Sequence, residues 1–245
     1  MRNCRILFIA AVCALLPLDA SAGVSPAKKP ARPGISNLSG SFTRTYSTES
    51  QKDSVSGLFC FFDGRKTYFD IRYPLHQIMF IENNILLIYY PESGKAFRLQ
   101  SASPVALPLI PGLLSAIRPD YGLSLIGFKV LEQKMHGDTL VTSWSNPKAA
   151  DKLGRFELSQ CGDRLISSRY FSPDSLNYTR TLFDGYGAPR GGYSFPASIR
   201  TTIRTGGTVS TERVFLRDLV INGTIPRDAL EFKIPDNVKV IKKKW

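Results

Sequence analysis

Groups able to do chemistry are sparse in this sequence of 245 residues. There are two histidines, His76 and His136. Neither has a His, Cys or Asp at metal-ligand spacing, so a zinc site is not expected. No Gly-x-Ser-x-Gly elbow, phosphate-binding Gly-Lys-Ser/Thr loop or Gly-x-Gly-x-x-Gly fingerprint occurs. A Ser-His-Asp arrangement is spatial and leaves no mark in a sequence. An enzyme would need His76 or His136 to lie in a polar cleft beside Ser and Asp, yet His76 follows Tyr73-Pro74 in what reads as a turn. Asp63, Glu82, Glu92, Asp163 and Asp184 also fall at turns, where a carboxylate serves the local backbone. The expectation is a protein that binds something and catalyses nothing, with no metal and no cofactor.

The first residues carry an address. Arg2 and Arg5 precede an apolar run from Ile6 to Leu18, and the small triplet Ala20-Ser21-Ala22 follows. That order predicts a secretory signal over residues 1–22, cleaved before Gly23. The run is too short to span hydrocarbon, which takes roughly 20 residues. A lipid anchor would need a Cys directly after it, and neither Cys4 nor Cys13 is so placed. The mature chain is therefore expected to be soluble in the oxidising envelope compartment. There Cys60 and Cys161 are candidates for a disulfide. Both also sit in strand-like runs, where a free Cys behaves as a small buried hydrophobe, so the two readings stay open. The formal net charge of +12 favours acidic partners such as anionic lipid head groups or an acidic protein. Nucleic acid is not expected, because Phe59, Phe61 and Phe69 read as core stripes and not as a stacking platform.

These groups are carried by many short β runs. Residues 23–35 are rich in Pro and charge and predict a linker; residues 36–245 then read as a single domain. Tyr68-Phe69-Asp70-Ile71 alternates, so Phe69 and Ile71 share one face. Leu58-Phe59-Cys60-Phe61-Phe62 is apolar on both faces, which predicts a strand covered on both sides or lining a dry cavity. Asp63-Gly64, Asn83-Asn84 and Gly206-Gly207 predict hairpin turns. Over Pro108–Ile117, residues Leu109, Leu113, Leu114 and Ile117 have helical spacing with almost no polar face, so something must cover that helix. Pro226–Leu230 predicts one helical turn, Phe232-Lys233-Ile234-Pro235 a last edge strand, and Lys242-Lys243-Lys244 a basic tail.

Two segments resemble a known family. Gly57-Leu58-Phe59-Cys60-Phe61, Arg65, Tyr68-Phe69, Tyr73-Pro74, Gln77-Ile78 and Leu86-Leu87-Ile88-Tyr89-Tyr90-Pro91, with Phe232-Lys233-Ile234-Pro235 and Val238-Lys239-Val240 near the end, are similar to the periplasmic lipoprotein carriers of the LolA type. The resemblance implies a mainly β fold: a curved antiparallel sheet forming an incomplete, half-open barrel, with a few short helices as a lid. It implies a lipid-binding cavity lined by Phe59, Phe61, Phe69 and Ile71. Arg65, Leu109, Leu113, Leu114 and Ile117 would belong to the lid, with Arg65 holding it. For each of these the alternative is ordinary core packing. The implied function is that of a monomeric periplasmic carrier that takes acyl chains of a lipoprotein, or another lipid, to the outer membrane, touching membrane proteins or an anionic membrane surface in passing. The alternative is a non-transporting sensor or interaction module that binds a protein partner on the same fold. The chain departs from the family at its start, where the linker runs almost directly into the strand at Ser39-Gly40-Ser41-Phe42 and leaves no room for the family's first lid helix. It departs again at the extra segment 185–192.

Overall fold

Tight turns cut the chain into strands. The computed structural model describes residues 34–64, 66–101, 113, 118, 120–174, 176–188 and 192–244. Asp63 and Gly64 take positive φ (52° and 65°), as do Gly206 and Gly207; that backbone twist matches the flanking strands of a two-residue hairpin. Between such turns run β1 (Asn37–Ser47), β2 (Lys52–Phe62), β3 (Lys66–Tyr73), β4 (Gln77–Glu82), β5 (Ile85–Tyr90) and β6 (Lys95–Gln100). A second series contains β7 (Lys129–His136), β8 (Thr139–Ser145), β9 (Arg155–Cys161), β10 (Arg164–Phe171), β11 (Tyr178–Asp184), β12 (Ser198–Thr205) and β13 (Thr208–Ile221), and β14 (Val240–Lys244) ends the chain. The helical turns α1 (Ala150–Leu153) and α2 (Arg227–Leu230) are short. Among the described residues, no helix is long and apolar enough to cross a membrane.

The fourteen strands among the described residues lie in one sheet, ordered β14-β6-β5-β4-β3-β2-β1-β13-β12-β11-β10-β9-β8-β7. Two antiparallel meanders are joined where β1 pairs with β13, Phe42 standing opposite Leu216. The edge strands β14 and β7 are not neighbours, so the sheet stays open. This is the half-open barrel that the resemblance implies.

Alternation along the strands makes two cores. Phe59 and Phe61 of β2 join a large cluster on the concave face with Phe42, Phe69, Met79, Leu86, Leu158, Leu165 and Leu216. Cys60 and Phe62 point the other way and pack with Tyr68, Ala229, Phe80 and Phe232. A strand apolar on both faces is thus covered on both sides. The convex cover is the segment 222–239, which carries α2 over β2–β4 before β14 pairs in parallel with β6.

Two expectations at the C-terminus are corrected. Phe232–Pro235 is not a strand: the Phe232 ring packs edge-on to Tyr68 (5.8 Å) and beside Phe80 (5.7 Å), a side-chain contact that outweighs its two-residue alternation. The last edge strand is instead the supposed basic tail, with Lys242 opposite Arg98 and Lys243 opposite Leu99. Lysines on an edge strand discourage further pairing, and that is where they stand.

Candidate functional site

The four residues expected to line a cavity do share one face. Phe59 and Phe69 are 2 % and 3 % exposed, and Phe61 and Ile71 are half-buried against the same cluster. Phe42 bridges them edge-on, 6.4 Å from Phe59 and 5.8 Å from Phe69. Of the expected lid, Leu113 is fully buried in this cluster. Arg65, Leu109, Leu114 and Ile117 lie outside the described residues, as does most of the helix expected over 108–117.

What covers the rest of the concave face was not visible in the sequence. Opposite the second meander, the segment 120–128 contributes Tyr121, Leu123 and Phe128, and Tyr186, Tyr193 and Phe195 join them from further along the chain. Asp120 holds the first segment in shape. Although burial opposes its charge, Ser124 Oγ and the backbone N–H groups of Gly122 and Ser124 donate to it and keep its carboxyl below the usual range. Tyr186 donates to the Leu165 carbonyl at 2.7 Å, and Arg164 lies over its ring at 5.7 Å; burial pushes this phenol up. Beneath these tyrosines the sheet presents the small buried hydroxyls of Thr142, Ser168 and Thr181 beside large apolar groups such as Leu165 and Phe183, and Tyr121 meets the Phe183 ring edge-on at 5.8 Å. Tyr186 and Tyr193 thus lie over this part of the sheet.

Among the described residues, the cover stops short of the open edge. In β7 every residue is exposed. Val130 stands opposite Trp144 and Met135 opposite Leu140. Because Trp144 packs against the concave cluster, these side chains continue that face past its cover. Leu131 occupies a bulge between them. Leu131 and Met135 are 66 % and 62 % exposed, a run of apolar surface at the mouth of the half-barrel. Trp144 Nε1 is buried there, and among the described residues it has no hydrogen-bond partner. A buried donor left unpaired is costly, and it fits an acceptor brought by a ligand.

The polar groups on the other side assemble no comparable site. His76 Nε2 lies 3.0 Å from Asp70 Oδ1, and Arg72 takes Oδ2 of the same carboxylate at 2.8 Å. His136 is exposed at the end of β7. Among the described residues no group of three or more His, Cys, Asp or Glu gathers as for a metal ion.

The disulfide reading is corrected. Cys60 and Cys161 are both free. Six strand steps of about 4.8 Å separate β2 from β9, whereas a bridge needs Cα atoms within about 7 Å. Burial pushes the Cys60 thiol up to about 11, while Cys161 is exposed. At neutral pH a maleimide is expected to label Cys161 and to reach Cys60 only after unfolding in urea. Equal labelling of both in the folded protein, read by peptide mapping, would contradict the buried placement of Cys60.

No family model and no curated protein matches the sequence. Solved structures match its fold. A domain from Vibrio parahaemolyticus named for outer membrane lipoprotein sorting superposes with a TM-score of 0.52 at 9 % identity, covering 81 % of this chain and 90 % of that one. A DUF1329 family protein from Desulfovibrio piger gives 0.52 at 10 % identity, with 81 % and 90 % covered. A LolA superfamily protein from Nitrosomonas europaea gives 0.47 at 12 % identity, with 81 % and 91 % covered. At such identities the likeness concerns the fold alone.

Proposed function

From a LolA-like fold as premise, we propose that this protein is a periplasmic carrier that binds acyl chains of a lipoprotein, or another lipid, on the concave face of its sheet, and that it performs no catalysis. The observation that supports this most directly is the uncovered apolar run of Val130, Leu131 and Met135 beside the unpaired Trp144 Nε1. The run offers a landing surface for methylene groups, each worth about 0.8 kcal/mol when buried, and the indole N–H offers a donor for an ester or amide carbonyl. A chain entering from this edge would pass beneath Tyr121 and Tyr186 and displace Tyr121 from its edge-on contact with Phe183. The name of the Vibrio structure is consistent with lipoprotein cargo.

The test is native mass spectrometry of the protein purified from a bacterial envelope and then offered a synthetic diacylated peptide, with Trp fluorescence followed in parallel. The expected result is a one-to-one adduct and a change in Trp144 emission, both weakened at least tenfold by Leu131→Glu/Met135→Glu. A clean apo mass with no uptake would overturn the carrier reading. It would favour the second reading, a module that binds a protein partner on the same fold. One observation already leans that way: the centre of the concave face is filled by the protein's own Phe59, Phe69 and Leu113.

A further inference from the structure

The convex face divides into two unlike halves. Over β2–β4 it is roofed by the segment 222–239. Over β9–β13 it carries arginines in register. Arg169 stands opposite Arg180, and Arg200 opposite Arg213. In the next row, Arg155, Phe171, Tyr178 and Arg204 follow one another across four strands. Their chain neighbours Ser168, Thr181, Ile199 and Val214 are buried on the concave side, so the arginines point away from the core.

This arrangement works against the fold. Like charges directly opposite each other on paired strands are destabilising, and neutralising groups are few. Glu157 reaches Arg169 at 3.8 Å. Among the described residues, Arg180, Arg200, Arg204 and Arg213 are in no ion pair. The six cations are all arginine, whose planar fork binds phosphate in a bidentate way that lysine cannot match. They spread over five strands, about 20 Å across at ~4.8 Å per step, as an array and not as a pocket for one anion. Aromatic groups lie among them, with Arg155 over the Phe171 ring at 4.7 Å and Arg213 over Phe215 at 5.7 Å.

We propose that the arginine face of β9–β13 docks the protein on an anionic, phosphate-bearing membrane surface. At the border of this face, a cleft of about 240 Å³ between Leu58 and Phe215 is flanked by Arg72 and Arg217, and it offers a place for one head group. The proposal is independent of the acyl-chain reading, because its test contains no acylated peptide.

The experiment is co-sedimentation of the whole protein with vesicles containing phosphatidylglycerol, compared with vesicles of phosphatidylcholine alone. Binding is expected only to the anionic vesicles and should fall steeply with salt. Each arginine near such a surface contributes about fivefold, so Arg180→Gln/Arg200→Gln should weaken binding about 25-fold. A control, Lys148→Gln/Lys152→Gln, removes equal charge at exposed positions outside the face and should leave binding nearly intact. The single variant Arg200→Glu, which places a carboxylate opposite Arg213, should lose binding while its melting temperature stays level or rises; a purely structural role would lower it. Failure of the native protein to bind anionic vesicles would overturn the proposal, as would equal losses in the two double variants. Binding to polyglutamate without binding to vesicles would overturn it too and would point to an acidic protein partner.

Discussion

Phe69→Glu is expected to leave the chain unfolded, as read by the loss of its β-sheet circular dichroism and of a cooperative urea transition. Phe69 is 3 % exposed, sits in the middle of β3 opposite Phe59 and Met79, and meets Phe42 edge-on. Removing a buried phenylalanine side chain costs about 3–5 kcal/mol, and a carboxylate in its place adds several more unless it is neutralised. Domains are stable by about 5–15 kcal/mol in total, so the substitution removes most or all of the margin. Phe69→Leu keeps the site apolar and is expected to fold, with a loss of about 1–2 kcal/mol. Were Phe69→Glu to remain folded with a native urea midpoint and only lose acyl-chain uptake, Phe69 would line a space that admits water. The concave face would then be a cavity at its centre and not only at its open edge.

Gly57→Ala is expected to be nearly as damaging, although it adds a single methyl group. Gly57 lies where the register between β2 and β3 shifts, and a Cβ there would stand 2.2 Å from the Asp70 carbonyl oxygen and 2.8 Å from Ile71 Cα. Both obstacles are backbone, so no side chain can turn aside to make room. Two central strands must part, and overpacking of this kind costs about 3 kcal/mol or more. Gly64→Ala provides the comparison. Nothing lies within 4 Å of its added Cβ, and the cost comes only from a positive φ of 65°, about 1 kcal/mol. Urea midpoints of the two variants separate the causes. Equal costs would mean that Gly57 is needed only for backbone freedom and that β2 and β3 do not approach as closely as described. The same glycine opens the segment that resembles the LolA-type carriers, and the close approach gives it a physical reason to be glycine.

The lid is where sequence and structure part most clearly. The helical spacing of Leu109, Leu113, Leu114 and Ile117 predicts an apolar helix that something must cover; of the four, only Leu113 lies among the described residues, buried in the concave cluster. The spacing says nothing of Tyr121, Tyr186 and Tyr193. These lie in Gly- and Pro-rich stretches with no periodicity, and only the path of the chain over the sheet brings them onto the second meander. The extra segment 185–192 reads in the sequence as a departure from the family, and only the tertiary structure shows that Tyr186 and, just past it, Tyr193 pack on the concave cluster.

By itself the sequence determined the local structure of this protein. Alternation set which side chains of β2 and β3 face together, and Asp-Gly and Gly-Gly pairs set the hairpins, because a strand has a period of two and those turns need positive φ. The family-like segments add the half-open sheet. Tertiary structure alone decided the rest, since contacts between distant residues have no local signature. It kept Cys60 and Cys161 six strands apart. It drew Phe232 off the sheet edge and put the lysine tail in its place. It left Val130, Leu131 and Met135 uncovered at the mouth. The arginine face is the clearest case: six residues taken from five strands are scattered along the chain and become a surface only when strand order and register place them side by side.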